Sequence, residues 1–439
     1  MLVTEGKASG RDRLVCVLMG LGLLAAFMVL VALVPVLLTP VLWIVLVMGL
    51  GMILRDVFLG IVARLLKTEA SPEAARRPSI AFLIPGLNEL SSLKSTVPSM
   101  MALRYDGSIA FCYVCEGAST DGSIAYVREC SQKDPRVVLI EKATPPAGRG
   151  AAVKYGLEHA PPTDVVGFLD ADHVLEQGAL DELVRVFGQA DPPAAVQGVC
   201  ATVETCDTPL ARLLTIEREW LERVELQANA RVGGICVFGG GQGFFVRSLF
   251  DEGRFAIDES MILDDIDVSC QMALAGTRVA FNPEIVTKSR QPETVTRFLD
   301  QRLRWARGWL QLAARYAWAP VRARGVPLGL RADLARILVT PFAGALIYLG
   351  FGAALVSLAI CGPHRPALWL ALAALLWPFL LASQPFLSGV RLGRGADIAL
   401  AVIGIPLLMY AYGWVMGASL ADAYILRRPI RYAKTIKDP

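Results

Sequence analysis

For a chain of 439 residues, this sequence has little charge. Only 19% of its residues are Asp, Glu, Lys or Arg, compared with about 25% in soluble domains, and 54% are hydrophobic. This composition excludes a disordered chain, a collagen and a coiled coil, and it argues against an ordinary cytosolic protein. The net charge is only +3, so the sequence also lacks the basic excess that would predict a nucleic-acid partner.

Cysteine is present but lacks a pattern. The nine cysteines have no regular spacing, so we expect no disulfide framework and place the soluble part in a reducing compartment. Cys112 and Cys115 form a C-x-x-C motif inside a run that predicts a strand. Residues three apart on a strand point to opposite faces. We therefore interpret both as buried thiols rather than as a redox or zinc pair.

Long apolar runs stand at both ends of the chain. They cover residues 14–36, 37–54, 334–361, 367–390 and 398–424. Each is close to the roughly 20 residues that a membrane-spanning helix needs, so we predict five spans. A second apolar run directly after the first indicates two anchors rather than a cleaved signal peptide. Basic residues around the first pair predict that residues 67–333 lie in the cytoplasm. If all three later runs span, the C-terminus lies outside, whereas the basic tail favours the inside. The alternative is that one run is re-entrant or lies in the interface.

Strands alternate with helices between these apolar ends. Short apolar runs predict strands at 79–85, 109–115, 136–141 and 165–169, with helices at 89–101 and 150–159 among them. This alternation predicts a parallel, doubly wound α/β sheet. Ligands of such sheets bind beyond the carboxyl ends of the strands. Glu116, Asp170 and Asp172 stand at these predicted ends.

Two acidic motifs are candidates for chemistry. Asp170 and Asp172 follow a strand directly, and two carboxylates at this spacing can bind a divalent cation such as Mg²⁺ together with substrate phosphates; the alternative is a helix N-cap. Asp264, Asp265 and Asp267 open a segment of helical periodicity. They either complement the helix dipole or supply a general base.

Two further motifs have ordinary explanations as well. Gln301-x-x-Arg304-Trp305 lies in a basic amphipathic segment, 297–316, which is typical of a helix at a membrane interface. The glycine-rich segment 239–243 is not followed by Lys-Ser or Lys-Thr, so it is not a P-loop. Its glycines allow close approach of a ligand, or they form only a flexible turn.

Taken in order, the motifs resemble one family. They run Pro85-x-x-Asn88-Glu89, then Ser-Thr-Asp-Gly-Ser at 119–123, Asp170-x-Asp172, Asp264-Asp265 and Gln301-x-x-Arg304-Trp305. This order, with membrane helices on both sides, resembles the processive family 2 glycosyltransferases: the cellulose, chitin, hyaluronan and poly-N-acetylglucosamine synthases. The resemblance implies a GT-A-type doubly wound domain at 67–296, inserted between two transmembrane helices at 1–66 and about three at 334–439, with interface helices at 297–333.

The resemblance also implies roles for individual residues. Asp172 and Asp170 would hold Mg²⁺ or Mn²⁺, and Asp265, with Asp264 beside it, would be the catalytic base. The implied donor-binding residues are Pro85, Glu89, Glu116, Lys154, Asp170 and Arg304, and the implied acceptor-binding residues are Gln301, Trp305 and Gly240. The chain departs from the family at Glu116-Gly117, where the family has two Asp, and at 148–154, where Arg149 replaces a Lys and Lys154 an Asn.

By this resemblance the protein is expected to be an inverting enzyme of the plasma (inner) membrane. It would polymerise the sugar of a nucleotide-sugar donor, UDP-linked by expectation, into a β-linked polysaccharide. Expected partners are the donor, a polysaccharide or glycolipid acceptor and membrane lipids. Two alternatives remain: transfer of one sugar to a lipid, as in ceramide glucosyltransferases, or a non-catalytic export scaffold, against which the intact acidic motifs argue.

Overall fold

The centre of the protein is a sheet flanked by helices. Long apolar helices contact this domain at one end. The computed structural model describes residues 4–5, 10–65, 71–143, 148–203, 208–360, 372–373, 376, 395–426 and 431–432. Its strands are β1 (Thr4–Glu5), β2 (Ile80–Gly86), β3 (Ile109–Glu116), β4 (Val137–Lys142), β5 (Val165–Phe168), β6 (Val174–Leu175), β7 (Ala195–Thr202), β8 (Gly243–Val246), β9 (Val279–Ser289) and β10 (Arg431–Tyr432).

Helices connect most of these strands. They are α1 (Gly10–Leu33), α2 (Leu38–Leu65), α3 (Leu90–Met101), α4 (Ser123–Lys133), α5 (Arg149–His159), α6 (Gln177–Phe187), α7 (Pro209–Trp220), α8 (Gln227–Arg231), α9 (Ser248–Asp251), α10 (Asp264–Leu274), α11 (Val295–Tyr316), α12 (Ala319–Arg322), α13 (Leu328–Ile360) and α14 (Gly395–Leu420). Leu221–Leu226 and Ala421–Ile425 are π-helical, and Pro35–Leu37 is a 3₁₀ turn.

The sheet is only partly the parallel sheet that the alternating pattern predicts. Its eight strands run in the order β4-β3-β2-β5-β8-β7-β9-β6. The four on one side, β4 to β5, are parallel as expected. The short strand β8 then pairs antiparallel with both β5 and β7, and β6 pairs antiparallel with β9. The prediction of a parallel sheet is therefore wrong at β8 and β6, whereas β7 and β9 pair in parallel.

Side chains of the central strands alternate between two apolar layers. On β2, Ile80, Phe82 and Ile84 pack with α3, α4 and α6 on one face, and Ala81 and Leu83 pack with α5 on the other. Strands that are buried on both faces read as continuous apolar runs, which is why their positions could be predicted. On β3, Cys112 and Cys115 are free thiols in opposite layers, as the strand reading requires.

Three helices in the described part of the chain are long and apolar enough to cross a membrane. They cover Pro35–Leu65, Leu328–Ile360 and Asp397–Ile425, and a shorter apolar helix covers Leu18–Leu33. These helices indicate association with a membrane. They account for four of the five predicted runs, whereas the run at 367–390 and the basic tail lie almost wholly outside the described residues. Helices α13 and α14 cross at Gly344 and Gly413, where a Cβ on Gly413 would lie 2.0 Å from the Gly344 carbonyl oxygen.

Helix α11 joins the sheet domain to these apolar helices. Gln311 on this helix accepts a hydrogen bond from the backbone of Ile262 (3.0 Å) and donates one to the carbonyl of Ser260 (3.0 Å). Gly308 lies so close to Leu263 that a Cβ there would be 2.5 Å from the leucine Cγ. The same helix also reaches the apolar helices, because Arg307 pairs with Asp422 at 2.8 Å. The segment that leads into α10 is thus fixed directly against α11.

Candidate active site

Two loops meet at the carboxyl edge of β2 and β3. The side chain of Asn88 accepts a hydrogen bond from the backbone of Thr120 (2.8 Å), and Asp121 accepts one from the backbone of Leu90 (2.8 Å). Asn88 itself has a φ of +52°, a conformation in which Asn is enriched. The backbone of Glu89 donates to Ser123 Oγ (3.0 Å) at the start of α3. The motifs at 85–89 and 119–123 are therefore brought together, with Pro85 at the end of β2.

Three potential metal ligands stand just beyond β5. One atom each of Asp170, Asp172 and His173 lies within 4.8 Å of the others. The Asp170 side chain is 35% exposed, so the cluster is open to solvent on one side, while His173 is buried. Nδ1 of His173 makes no hydrogen bond among the described residues and lies 3.4 Å from Asp172 Oδ1. Two carboxylates and an unsatisfied imidazole nitrogen fit a divalent cation.

Arg149 connects this cluster to the acids of α10. Its Nε donates to Asp170 at 2.8 Å, and its other two nitrogens donate to Asp264 and to the carbonyl of Gly240. Arg149 begins α5, and the backbone around Gly150 packs against Asp264. Four elements distant in sequence thus converge on one guanidinium group.

Asp265 lies beside this group across Gly240. A Cβ on Gly240, which has a φ of +86°, would be 3.2 Å from Oδ2 of Asp265 and 3.7 Å from Oδ2 of Asp170. Burial, followed by the charge of neighbouring Asp264, raises the pKa of Asp265 to about 7. A carboxyl with a pKa near neutrality can both accept and hold a proton, which is what a general base needs. The structure therefore brings Asp170, Asp264, Asp265 and Gly240 together.

The third acid of the α10 motif has another role. Asp267 is fully buried and accepts hydrogen bonds from Tyr316 Oη (2.7 Å) and Gln271 Nε2 (2.7 Å). Arg315 lies 3.6 Å from the same carboxylate. Asp267 therefore anchors α10 to α11, and only the first two acids of the motif face the site.

Two of the expected donor-binding residues are engaged elsewhere. Glu116 is buried and pairs with Lys142 at 3.1 Å; burial raises its pKa and Lys142 opposes that rise. Lys154 is exposed and pairs with Glu259 at 2.6 Å, beside a cavity of about 470 Å³. In this arrangement Arg149, not Lys154, enters the acidic cluster from α5. The donor roles of Glu116 and Lys154 stay predictions.

The Gln-x-x-Arg-Trp motif lies on α11. Trp305 packs on an apolar cluster that includes Leu263 and Ile266, the residues that flank the two acids of α10. Its ring is also covered by the guanidinium of Arg302, 4.3 Å away. Trp305 of the motif therefore packs against the segment that carries the two acids. The acceptor roles of Gln301 and Trp305 and the donor role of Arg304 stay predictions.

A second polar group lies behind His173. Its Nε2 is 3.3 Å from the sulfur of Cys200, which also accepts a hydrogen bond from Arg218 (3.0 Å) and contacts Ser289 (3.1 Å). Burial alone would raise the pKa of the Cys200 thiol, but Arg218 and His173 outweigh it and lower that pKa to about 6. This group reaches the site only through the imidazole.

Sequence reasoning did not select Arg149 or His173 as site residues. Each had a signal: Arg149 replaces the Lys of a family motif, and His173 directly follows the Asp-x-Asp. Cys200 and Arg218 had none, because a strand cysteine and a helix arginine 18 residues apart are common in any chain.

A sequence model of the family described as "Glycosyltransferase like family 2" matches residues 78–308, just over half of the chain. Among curated proteins, a poly-beta-1,6-N-acetyl-D-glucosamine synthase of Staphylococcus aureus is 24% identical over 57% of this chain and 59% of its own length. A Bacillus subtilis protein named "Probable glycosyltransferase YdaM" is 26% identical over 53% of this chain and 55% of its own. The chain thus spans less than two thirds of these relatives.

Among solved structures, the mannosyltransferase PcManGT from Pyrobaculum calidifontis, in complex with GDP-Man and Mn²⁺, has a TM-score of 0.63. The similarity covers 88% of this chain and 99% of that chain at 19% identity, so it shows a shared GT-A-like fold with flanking apolar helices. With the family match over 78–308, it confirms the resemblance drawn from the motifs. The chain therefore belongs to glycosyltransferase-like family 2.

Proposed function

We propose that the protein polymerises a sugar from a UDP-linked donor into a β-linked polysaccharide at a membrane. The observation that carries this proposal is the position of Asp265. It shares the space at Gly240 with Asp170, on a segment that packs against the helix of Gln301 and Trp305. The residues proposed as cation ligands, the proposed base and the helix proposed to lie at the membrane interface are thus neighbours, and this neighbourhood supports the proposal.

In this proposal each charged group has one task. Asp265 takes the proton of the acceptor hydroxyl as that hydroxyl attacks the anomeric carbon, and the single displacement inverts the configuration from α to β. Asp170, Asp172 and His173 would hold Mg²⁺ or Mn²⁺, and such an ion, when bound, stabilises the charge of a departing diphosphate. Arg149 and Arg304 supply further positive charge for the diphosphate.

The remaining roles follow the same division. Pro85, Glu89, Glu116 and Lys154 are the proposed donor contacts on the carboxyl edge of the sheet. Gln301, Trp305 and Gly240 are the proposed acceptor contacts. Residues 67–296 would be the catalytic domain and 297–333 its membrane interface.

A second candidate function is transfer of a single sugar to a lipid. The guanidinium of Arg302 lies between the rings of Trp305 (4.3 Å) and Tyr412 (4.9 Å), and it donates to Glu217 at 3.0 Å. An arginine in this place fills space that a polymer would need beside Trp305. A lipid acceptor, by contrast, needs no channel for a chain of sugars.

Product size distinguishes the two functions. The purified full-length protein is incubated with Mn²⁺, membrane lipids and an excess of each of several radiolabelled nucleotide sugars. The proposal predicts a polymer from a UDP-linked donor, and shorter or no product from Trp305→Ala, because the terminal sugar loses a stacking contact of about 1 kcal/mol. If the sole product is a lipid that carries one sugar, the synthase proposal is refuted and the second function takes its place.

We also propose that the catalytic domain faces the cytoplasm from the plasma membrane. Basic residues on the flanks of the first two apolar runs support this orientation. Gln132 is exposed on α4, so a cysteine introduced there by Gln132→Cys can be tested with an impermeant thiol reagent on intact cells. No labelling until the cells are opened is expected, and labelling of intact cells would reverse the orientation.

A further inference from the structure

The imidazole of His173 is held between two different surroundings. It is buried, with 8% of its surface exposed. Its Nδ1 faces the two carboxylates, 3.4 Å from Asp172 and 4.0 Å from Asp170, without a hydrogen bond among the described residues. Its Nε2 faces away from them, 3.3 Å from the sulfur of Cys200. A buried nitrogen without a partner calls for an explanation, and a cation is the one that the facing carboxylates supply.

The contacts of Cys200 decide which imidazole nitrogen carries the proton. Arg218 Nη1 lies 3.0 Å from the Cys200 sulfur and 2.9 Å from Ser289 Oγ. A guanidinium group can only donate, so the sulfur accepts from it. The thiol can direct its own hydrogen at the carbonyl of Ala201, 3.9 Å away, so the sulfur can accept from His173 as well. With a cation bound, His173 then donates its Nε2–H, and Nδ1 offers a lone pair on the side of the carboxylates.

One neighbour packs against the ring, and another holds the strand behind it. Gly241 packs on it so closely that a Cβ would lie 2.5 Å from Nε2. Glu222 accepts a hydrogen bond from the backbone of Cys200 and so fixes the strand on which the sulfur stands. Glu222 belongs to the π-helical turn after α7, and Gln242 donates to it at 3.3 Å. The residues that support His173 from behind are therefore linked to one another, from β7 to α7 and the π-helical turn that follows it.

We propose that Cys200 and Arg218 are positioning residues that hold His173 with Nδ1 directed at the cation, and thereby set the affinity for that cation. This inference rests on the proposed metal-dependent sugar transfer. Groups that accept the second N–H of a metal-binding histidine usually change metal affinity by about 10- to 100-fold when they are removed. Neither residue touches the donor or the acceptor in this proposal.

The test measures Mn²⁺ binding to the full-length protein in detergent, without any donor. Free Mn²⁺ is followed by electron paramagnetic resonance, and pulsed measurements detect nitrogen coupling from an imidazole ligand. Cys200→Ala is expected to bind Mn²⁺ about 10- to 100-fold more weakly and to lose the nitrogen coupling. Cys200→Ser retains an acceptor and is expected to restore most of both. Cys130→Ala, at an equally buried cysteine on α4, is the control and should match the wild type.

Two results would overturn the inference. One is equal Mn²⁺ affinity and equal nitrogen coupling in Cys200→Ala and Cys130→Ala. The other is that the wild type binds Mn²⁺ without nitrogen coupling, while Asp172→Asn abolishes this binding. This second result would leave the proposed function intact. Conversely, nitrogen-coupled binding in a wild type that transfers no sugar would refute the proposed function alone.

A second variant covers the possibility that Cys200→Ala does not fold. Arg218→Lys keeps the positive charge but cannot donate to both Cys200 and Ser289 from one planar group. It is expected to weaken Mn²⁺ binding several-fold and to reduce the nitrogen coupling. Unchanged values for both would count against the proposal.

Discussion

Two charged groups lie at the carboxyl edge of the sheet, and they differ in how their charges balance. At the ends of β3 and β4, one acid faces one base: Glu116 and Lys142 are 3.1 Å apart and both are buried. Beyond β5, Arg149 serves both Asp170 and Asp264, while Asp265 shares the same space. The first group is neutral as a whole, and the second has more acid than base.

The difference separates a pair that neutralises itself from a group that has room for an added cation. A one-to-one pair satisfies its own charges and leaves little field for a ligand. Burial, followed by the charge of Asp264, raises the pKa of Asp265 to about 7, and the excess of acid over base favours an added cation. Burial alone therefore does not single out a functional acid. The two groups differ in the ratio of acids to nearby bases.

The largest effect is expected at Asp172, which adjoins the group with excess acid through Asp170. Asp172→Asn should reduce sugar transfer to background, because it removes a proposed ligand of the cation, and chelation by EDTA should do the same to the wild type. The unfolding midpoint should change little, because asparagine keeps the size and shape of the side chain. Sugar transfer and unfolding are measured on the same preparation, and full activity in EDTA would refute the metal site.

The balanced pair should show the opposite behaviour. Lys142→Met leaves Glu116 buried without its partner and should lower the free energy of unfolding by about 3–5 kcal/mol. Replacing both residues, as in Glu116→Leu with Lys142→Met, should recover most of that loss. Denaturant unfolding of the single and double variants checks this. A single variant as stable as the wild type would mean that the pair is not structural.

A smaller effect is expected from pH. Because Asp265 must be ionised to accept a proton, transfer should rise with pH up to about 7 and then level off. Stability should change in the other direction: the pKa is raised on folding, so the folded state binds more protons between about pH 4 and 7, and stability is lost as pH rises through that range. Unfolding midpoints of metal-free wild type and Asp265→Asn check this, because the variant should lack that part of the slope.

Much of the fold follows from local patterns. The strands β2 to β5 are buried on both faces, so their apolar runs end at the turns that the sequence marks. The predicted bounds differ by one or two residues, as at 79–85 and Ile80–Gly86. β8 was not predicted, because its four residues, between glycines and an arginine, are too few to show an alternation of apolar and polar side chains. Its two antiparallel pairings depend on tertiary contacts that no local pattern records.

The site was predictable where its residues are adjacent in sequence. Asp170 and Asp172 stand two apart after a strand, and Asp264 and Asp265 open a helix. Arg149 was harder to select, because its partners are 21 and 115 residues away. Lys154 comes five residues later on the same helix, which turns it about 140° from Arg149 at 3.6 residues per turn. This rotation explains why it meets Glu259 and not the acidic cluster.

The account depends most directly on Asp265 as the base of sugar transfer. The decisive measurement compares wild type and Asp265→Asn in donor binding and in single-turnover transfer from the radiolabelled donor that the wild type uses. The account predicts that the variant binds the donor with unchanged affinity and transfers its sugar about 10²- to 10⁴-fold more slowly. Wild-type transfer by the variant, or a collapse of donor binding in a folded variant, would contradict it.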